Sequence, residues 1–174
     1  MDKKSLRVVF ATISAVLYIA AATTIIVLCI INQFVYSELV LGIILITISL
    51  IKTIEWLLSG KHKNKYSVSL PFNTVSLILG ILFLVGRIDM PILCFGWGIL
   101  EIICSLIELQ FTIPLIKKHK LCILEIFISV VSLIFGILLC IRLQHGLTVH
   151  LIYLSISLVL MAISTILNAV LIKK

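Results

Sequence analysis

The chain is poor in charge. Only 12% of its 174 residues are Asp, Glu, Lys or Arg, about half the share of a soluble globular protein. Acidic residues are scarcer than basic ones, at 7 against 14. Three prolines leave little to break helices. The five cysteines contain no C-x-x-C and no metal-ligand spacing, so neither a zinc site nor a dithiol redox motif is expected. There is no H-E-x-x-H, no G-x-S-x-G, no phosphate-binding glycine loop and no Asp-rich motif. Between the apolar runs, no polar stretch exceeds about ten residues, which leaves no room for a soluble catalytic or sensor domain. These absences exclude the common enzyme classes, and no catalytic, cofactor-binding or metal-ligating residue is assigned.

Apolar sequence is abundant. Hydrophobic residues make up 62% of the chain, and the mean hydropathy is +1.33. A core of this size could not hide so many Ile and Leu side chains from water, so lipid is the expected solvent. A helix needs about 20 apolar residues to cross the hydrocarbon layer while satisfying its own backbone. Six stretches qualify, at 8–31, 38–58, 67–86, 91–115, 121–142 and 147–172. The expected fold is all-α, a polytopic membrane protein of six transmembrane helices in a single domain. The first stretch follows cations and holds Ala20-Ala21-Ala22. Its apolar run is nonetheless too long for a typical cleaved signal, so an uncleaved span is expected. Pro91 falls at the expected start of the fourth helix, Pro114 near its end and Pro71 in the first turns of the third.

The positive charge is segregated. Lys3, Lys4 and Arg7 precede the first span, Lys61, Lys63 and Lys65 fill the second turn, and Lys117, Lys118 and Lys120 fill the fourth. Lys173 and Lys174 close the chain, whereas the opposite side holds only Arg87 and Arg142. Basic residues favour the cytoplasmic side, which places both termini and the basic turns there. They then serve as topology anchors and as partners of anionic lipid headgroups, and nucleic acid is excluded as a partner. Trp56 and Tyr66 are expected at the inner interface and Tyr36 at the outer one.

One phrase is said twice. Residues 75–82 read VSLILGIL and residues 131–138 read VSLIFGIL, an offset of 56. The same offset carries Gly42-Ile43 onto Gly98-Ile99, and Ser49-Leu50-Ile51 onto Ser105-Leu106-Ile107. Self-similarity of this period marks a repeated supersecondary unit. The expected units are three parallel-repeated helical hairpins, at about 8–58, 67–115 and 121–172. Gly42, Gly80, Gly98 and Gly136 are the expected helix-packing positions, because small residues let helices approach closely in lipid. The first helix has Thr24 where Gly80 and Gly136 stand, and Ala11, Ala15 and Ala20 are its substitutes.

The recurring Gly-Ile pairs (42–43, 80–81, 98–99 and 136–137) and the basic turns GKHKNK and KKHK resemble the short-repeat family of HdeD-type membrane proteins. The resemblance spans nearly the whole chain, although the first helix lacks a clear Gly-Ile. It implies six spans built of hairpins, a bacterial inner membrane and an association with acid resistance. It implies no catalytic residues.

Ionisable residues within the apolar runs are functional candidates, because charge is costly at membrane depth. Lys52 and Glu108 differ by the repeat offset, so they occupy equivalent places and are expected at one depth, as a coupled ion site or as a structural salt bridge. Glu101 lies near the middle of the fourth helix, with no cation expected at its level. Two turns separate it from Glu108, on one face. It is either a proton-carrying group or a neutral acid hydrogen-bonded across helices, with Tyr18, Ser76, Ser132 and Ser157 as candidate partners. Glu55 and Glu125 are expected near the cytoplasmic interface as partners of lysines, and Asn73 and Asn168 as polar ties or interface residues nearer the helix ends. Cys29, Cys94 and Cys140 fall toward the outer side, and small buried thiols are expected of them and of Cys104 and Cys122. His145 and His150 flank the last outer turn, where acid could charge them.

Three functions stay open. The first is a non-enzymatic stress-protective or membrane-structural component. The second is a small proton-coupled or solute carrier or channel using Glu101 and the Lys52–Glu108 pair. The third is an accessory subunit bound to a membrane partner, with homo-oligomerisation also open.

Overall fold

The computed structural model describes residues 3–31, 34–59, 69–86, 90–116, 121–141 and 147–171. They form six helices: α1 Lys3–Ile30, α2 Phe34–Ser59, α3 Ser69–Val85, α4 Met90–Thr112, α5 Leu121–Cys140 and α6 Leu147–Leu171. The basic turns at 61–65 and 117–120 lie outside the described residues, with Tyr66, Arg87, Asp89, Arg142, His62, His119 and His145. So do the side chains of Glu38, Glu55 and Trp56.

The prolines act at helix ends. Pro91 is the second residue of α4, where its missing N–H is no loss, and Pro71 sits in the first turn of α3. Pro114 lies in a single 3-10 turn, Ile113–Leu115, that closes α4. Past the end of α3, Gly86 adopts a left-handed conformation (φ 60) and its N–H donates to the Leu82 carbonyl at 3.3 Å. That is a glycine helix cap.

Four helical segments are long and apolar enough to cross a membrane: Val8–Ile30, Cys94–Leu115, Leu121–Cys140 and Thr148–Ala169. The described apolar segments of α2 and α3, Leu39–Ile54 and Asn73–Val85, are shorter. The outer surface is apolar, and several polar groups are buried beside the apolar core. Val16, Leu57, Ile78, Ile92, Phe127 and Ile152, one from each helix, point outward and are exposed, whereas Glu101, Glu125, Ser129 and Ser157 are buried. Water would penalise that surface and lipid would not. Several threonine hydroxyls along the apolar stretches are satisfied within their own helices. Thr12 donates to the Val8 carbonyl at 2.8 Å, Thr47 to Ile43 at 2.8 Å and Thr165 to Met161 at 2.7 Å.

Helix packing is most extensive between α1 and α6, between α4 and α5, and between α2 and α3. The expected hairpin units pair helices across the outer turns instead. Of those, α1/α2 and α5/α6 pack well, and α3/α4 touch sparsely.

Two of the close pairs are built on glycine. A Cβ placed on Gly98 would lie 2.7 Å from the Gly136 carbonyl oxygen, and one on Gly136 would lie 3.0 Å from that of Gly98. Gly42 and Gly80 face each other in the same way, at 2.9 and 3.1 Å. The second crossing is the first shifted by the repeat offset (42 to 98, 80 to 136). The α1/α6 pair has no glycine crossing among the described residues and relies on α1 alanines. Ala11 and Ala15 are buried as expected, but Ala20 faces outward, and Ala21 and Ala22 take the inner positions. A helix turns about 100° per residue, so the choice among three consecutive alanines rests on which one the other inward residues share a face with, here Ala15, Tyr18 and Ile25.

Candidate functional site

A polar seam runs between α4, α5 and α6. On α4 its members are Trp97, Glu101 and Glu108, at successive spacings of four and seven that hold one helix face. On α6 they are Ser157, Ser164 and Asn168, again on one face, and on α5 Glu125 and Ser129. All but Glu108 and Asn168 are buried, and those two are half-buried.

At one end of the seam, Ser157 joins two α4 residues. Trp97 Nε1 donates to Ser157 Oγ at 3.0 Å, and the Ser157 hydroxyl donates to Glu101 Oε2. Of the four hydroxyl partners expected for Glu101, Ser157 is the one the structure supplies. Glu101 is 1% exposed, and its Oε1 has no partner among the described residues.

Two turns along, Glu108 reaches both neighbouring helices. Ser129 on α5 donates to its Oε2 at 3.2 Å, and Ser164 Oγ on α6 lies 3.0 Å from its Oε1. Ser164 also lies 2.7 Å from Glu125 Oε1. Asn168 Nδ2 donates to the same Glu125 oxygen at 2.8 Å and to Ser164 at 3.2 Å. Glu125 therefore does not lie at the surface, as its place near a basic turn suggested. It is 0% exposed, and it is buried because position 125 shares a helix face with Cys122, Ser129 and Ser132, the inward side of α5. Asn168 acts as the tie expected of it.

Lys52 is half-buried on α2 with its Nζ 5.5 Å from the centroid of the Tyr18 ring on α1, a cation–π distance. Cys104 lies between Glu101 and Glu108 on α4.

The cysteines are free thiols, with Cys29, Cys94 and Cys122 buried and Cys104 and Cys140 half-buried. His150 is buried rather than set at the edge of an outer turn, because it lies on the face of α6 that carries Leu151 and Leu154 inward. Groups of three or more metal-ligating side chains are absent among the described residues.

The residues that sequence reasoning missed are Trp97, Ser129 and Ser164. A signal for Ser164 existed, since it stands to Glu108 as Ser157 stands to Glu101, 56 positions on in each case.

An all-helical bundle with an apolar outer surface, and with four segments long and apolar enough to cross a membrane, is compatible with an integral membrane protein. No family model, curated protein or solved structure matches the chain.

Proposed function

We propose that the chain is a six-span protein of a bacterial inner membrane, with both termini cytoplasmic, that serves as a non-enzymatic membrane-structural or stress-protective component of HdeD type. The segregated cations support the orientation, and the Gly-Ile repeats and basic turns support the likeness. The observation that carries the structural role is the hydrogen bond from Ser157 to Glu101, which uses a buried carboxyl to tie α6 to α4. Ser129, Ser164 and Asn168 use the other two acids in the same manner. Polar groups committed to one another in this way act as ties between helices.

A second reading, a small proton-coupled or solute carrier or channel using Glu101 and the Lys52–Glu108 pair, is favoured by one detail. Glu101 Oε1 is buried and has no partner among the described residues. Proton flux in proteoliposomes under an imposed pH gradient separates the two. The structural role predicts that the native protein leaks no faster than empty liposomes. Dissipation by the native protein, abolished in Glu101→Gln, would put the carrier ahead. The third reading, an accessory subunit, draws on the exposed apolar faces, and co-purification of a membrane partner would support it.

A further inference from the structure

Three buried polar groups away from the seam have no hydrogen-bond partner among the described residues. They are Ser14 Oγ on α1, Ser49 Oγ on α2 and the Asn73 amide Nδ2 on α3. Their residues are 1%, 2% and 6% exposed. Buried hydroxyls and amides are almost always paired, with protein or with ordered water.

The helix registers bring the three to one level. In the α2/α3 pair, Gly42 meets Leu84 and Gly80 meets Ile46, so the two helices run antiparallel about the Gly42/Gly80 crossing. Seven residues on from Gly42 and seven back from Gly80 both lead two turns toward the same end, along the faces that meet. Those positions are Ser49 and Asn73, which face each other without bonding each other. In the α1/α2 pair, Ser14 lies 16 residues before Ile30, where α1 ends, and Ser49 lies 15 residues after Phe34, where α2 begins. The hairpin therefore sets Ser14 beside Ser49 in depth, since both helices rise equally per residue.

The repeat explains which partner is lacking. The offset of 56 carries Ser49 onto Ser105, Asn73 onto Ser129 and Lys52 onto Glu108. In the later unit, Ser129 donates to the Glu108 carboxylate. In the earlier one the acid is replaced by a lysine, whose ammonium has hydrogens to give and no lone pair to accept with. Whatever else Lys52 bonds, it offers the Asn73 amide no acceptor.

The guest that suits these groups accepts from the Asn73 amide and can both give to and take from two hydroxyls. Water does so, and buried water takes two to four polar partners. An anion would accept as well, but it would carry charge to membrane depth, where charge is costly.

We propose that Ser14, Ser49 and Asn73 form an internal water site between α1, α2 and α3, in which a bound water is the acceptor that Glu108 supplies in the later repeat unit. The water ties three helices together at the end of the bundle where α2 finishes and α3 begins. The site is built on helices other than those of the seam, so it stands or falls apart from both readings of Glu101.

Solid-state NMR of the full chain in lipid, with nitrogen-15 in the asparagine side chains, reads the site. The Asn73 signal is identified by its loss in Asn73→Leu, or by its shift in Ser49→Ala where the first variant fails to fold. Magnetisation is expected to pass from water to the Asn73 amide in the native protein. Ser49→Ala and Ser14→Ala should each lower that transfer by half or more, because the water then loses a partner. Absence of transfer to Asn73 in the native protein would overturn the proposal, as would transfer that both variants leave unchanged. A shift of the Asn73 signal when chloride in the buffer is exchanged for a larger anion would place an anion there and overturn it too.

Discussion

Ser157 donates its hydroxyl hydrogen to Glu101, the residue 56 positions before it, and Ser164 touches Glu108 across the same interval. That interval is the offset of the repeated phrase. Residues at equivalent repeat positions therefore meet where α4 and α6 face each other. One unit earlier, the position equivalent to Glu108 is Lys52, so the three even-numbered helices present Lys, Glu and Ser at one register.

Removing Ser157 should cost more than altering Glu101. Ser157→Ala leaves the Trp97 N–H and the Glu101 carboxyl without their shared partner, at about 1–3 kcal/mol for each buried group. Glu101→Gln keeps an acceptor for Ser157 and should shift stability less. Thermal unfolding of the two variants in lipid nanodiscs checks the order.

The glycine crossings predict a graded response to added methyl groups. Gly98→Ala puts a Cβ against the Gly136 carbonyl, a backbone atom that cannot turn aside, and should destabilise by about 1–3 kcal/mol. Gly96→Ala meets only the Leu79 side chain at 3.3 Å and should be far milder. Equal melting temperatures for the two would argue against a close α4/α5 crossing.

Gly86 tests a different constraint. A Cβ there would meet nothing within 4 Å, so any cost of Gly86→Ala comes from its left-handed backbone, at about 1–2 kcal/mol. Gly86→Asn should recover part of that loss, because asparagine tolerates this conformation better.

The orientation can be checked by labelling. Lys63→Cys in the second basic turn should react with a membrane-impermeant thiol reagent in inverted membrane vesicles and not in intact cells, measured against the native protein. The reverse pattern would invert the topology.

The helices were legible in the sequence because each is a long apolar run bounded by charge or proline. Glu101 was legible too, since depth follows from counting residues into a helix, and Ser157 stood among its candidate partners. Glu125 was not. Its place five residues after Lys120 suggests an interface position, and only the packing of α5 against α4 and α6 turns that face inward. The pairing of α2 with α3 and of α4 with α5 was hidden for a related reason. Repeats reveal which positions are equivalent, but not which faces meet. Serines are common in apolar helices, so Ser129 and Ser164 gain meaning only once the helices around them are placed.

The most direct test of this interior is cysteine cross-linking between repeat-equivalent positions. In a background with the native cysteines replaced, Glu101→Cys combined with Ser157→Cys should form an intramolecular disulfide on mild oxidation. Glu101→Cys with Ile156→Cys, which faces outward, should not. Cross-linking of the second pair without the first would contradict the register on which the polar seam rests.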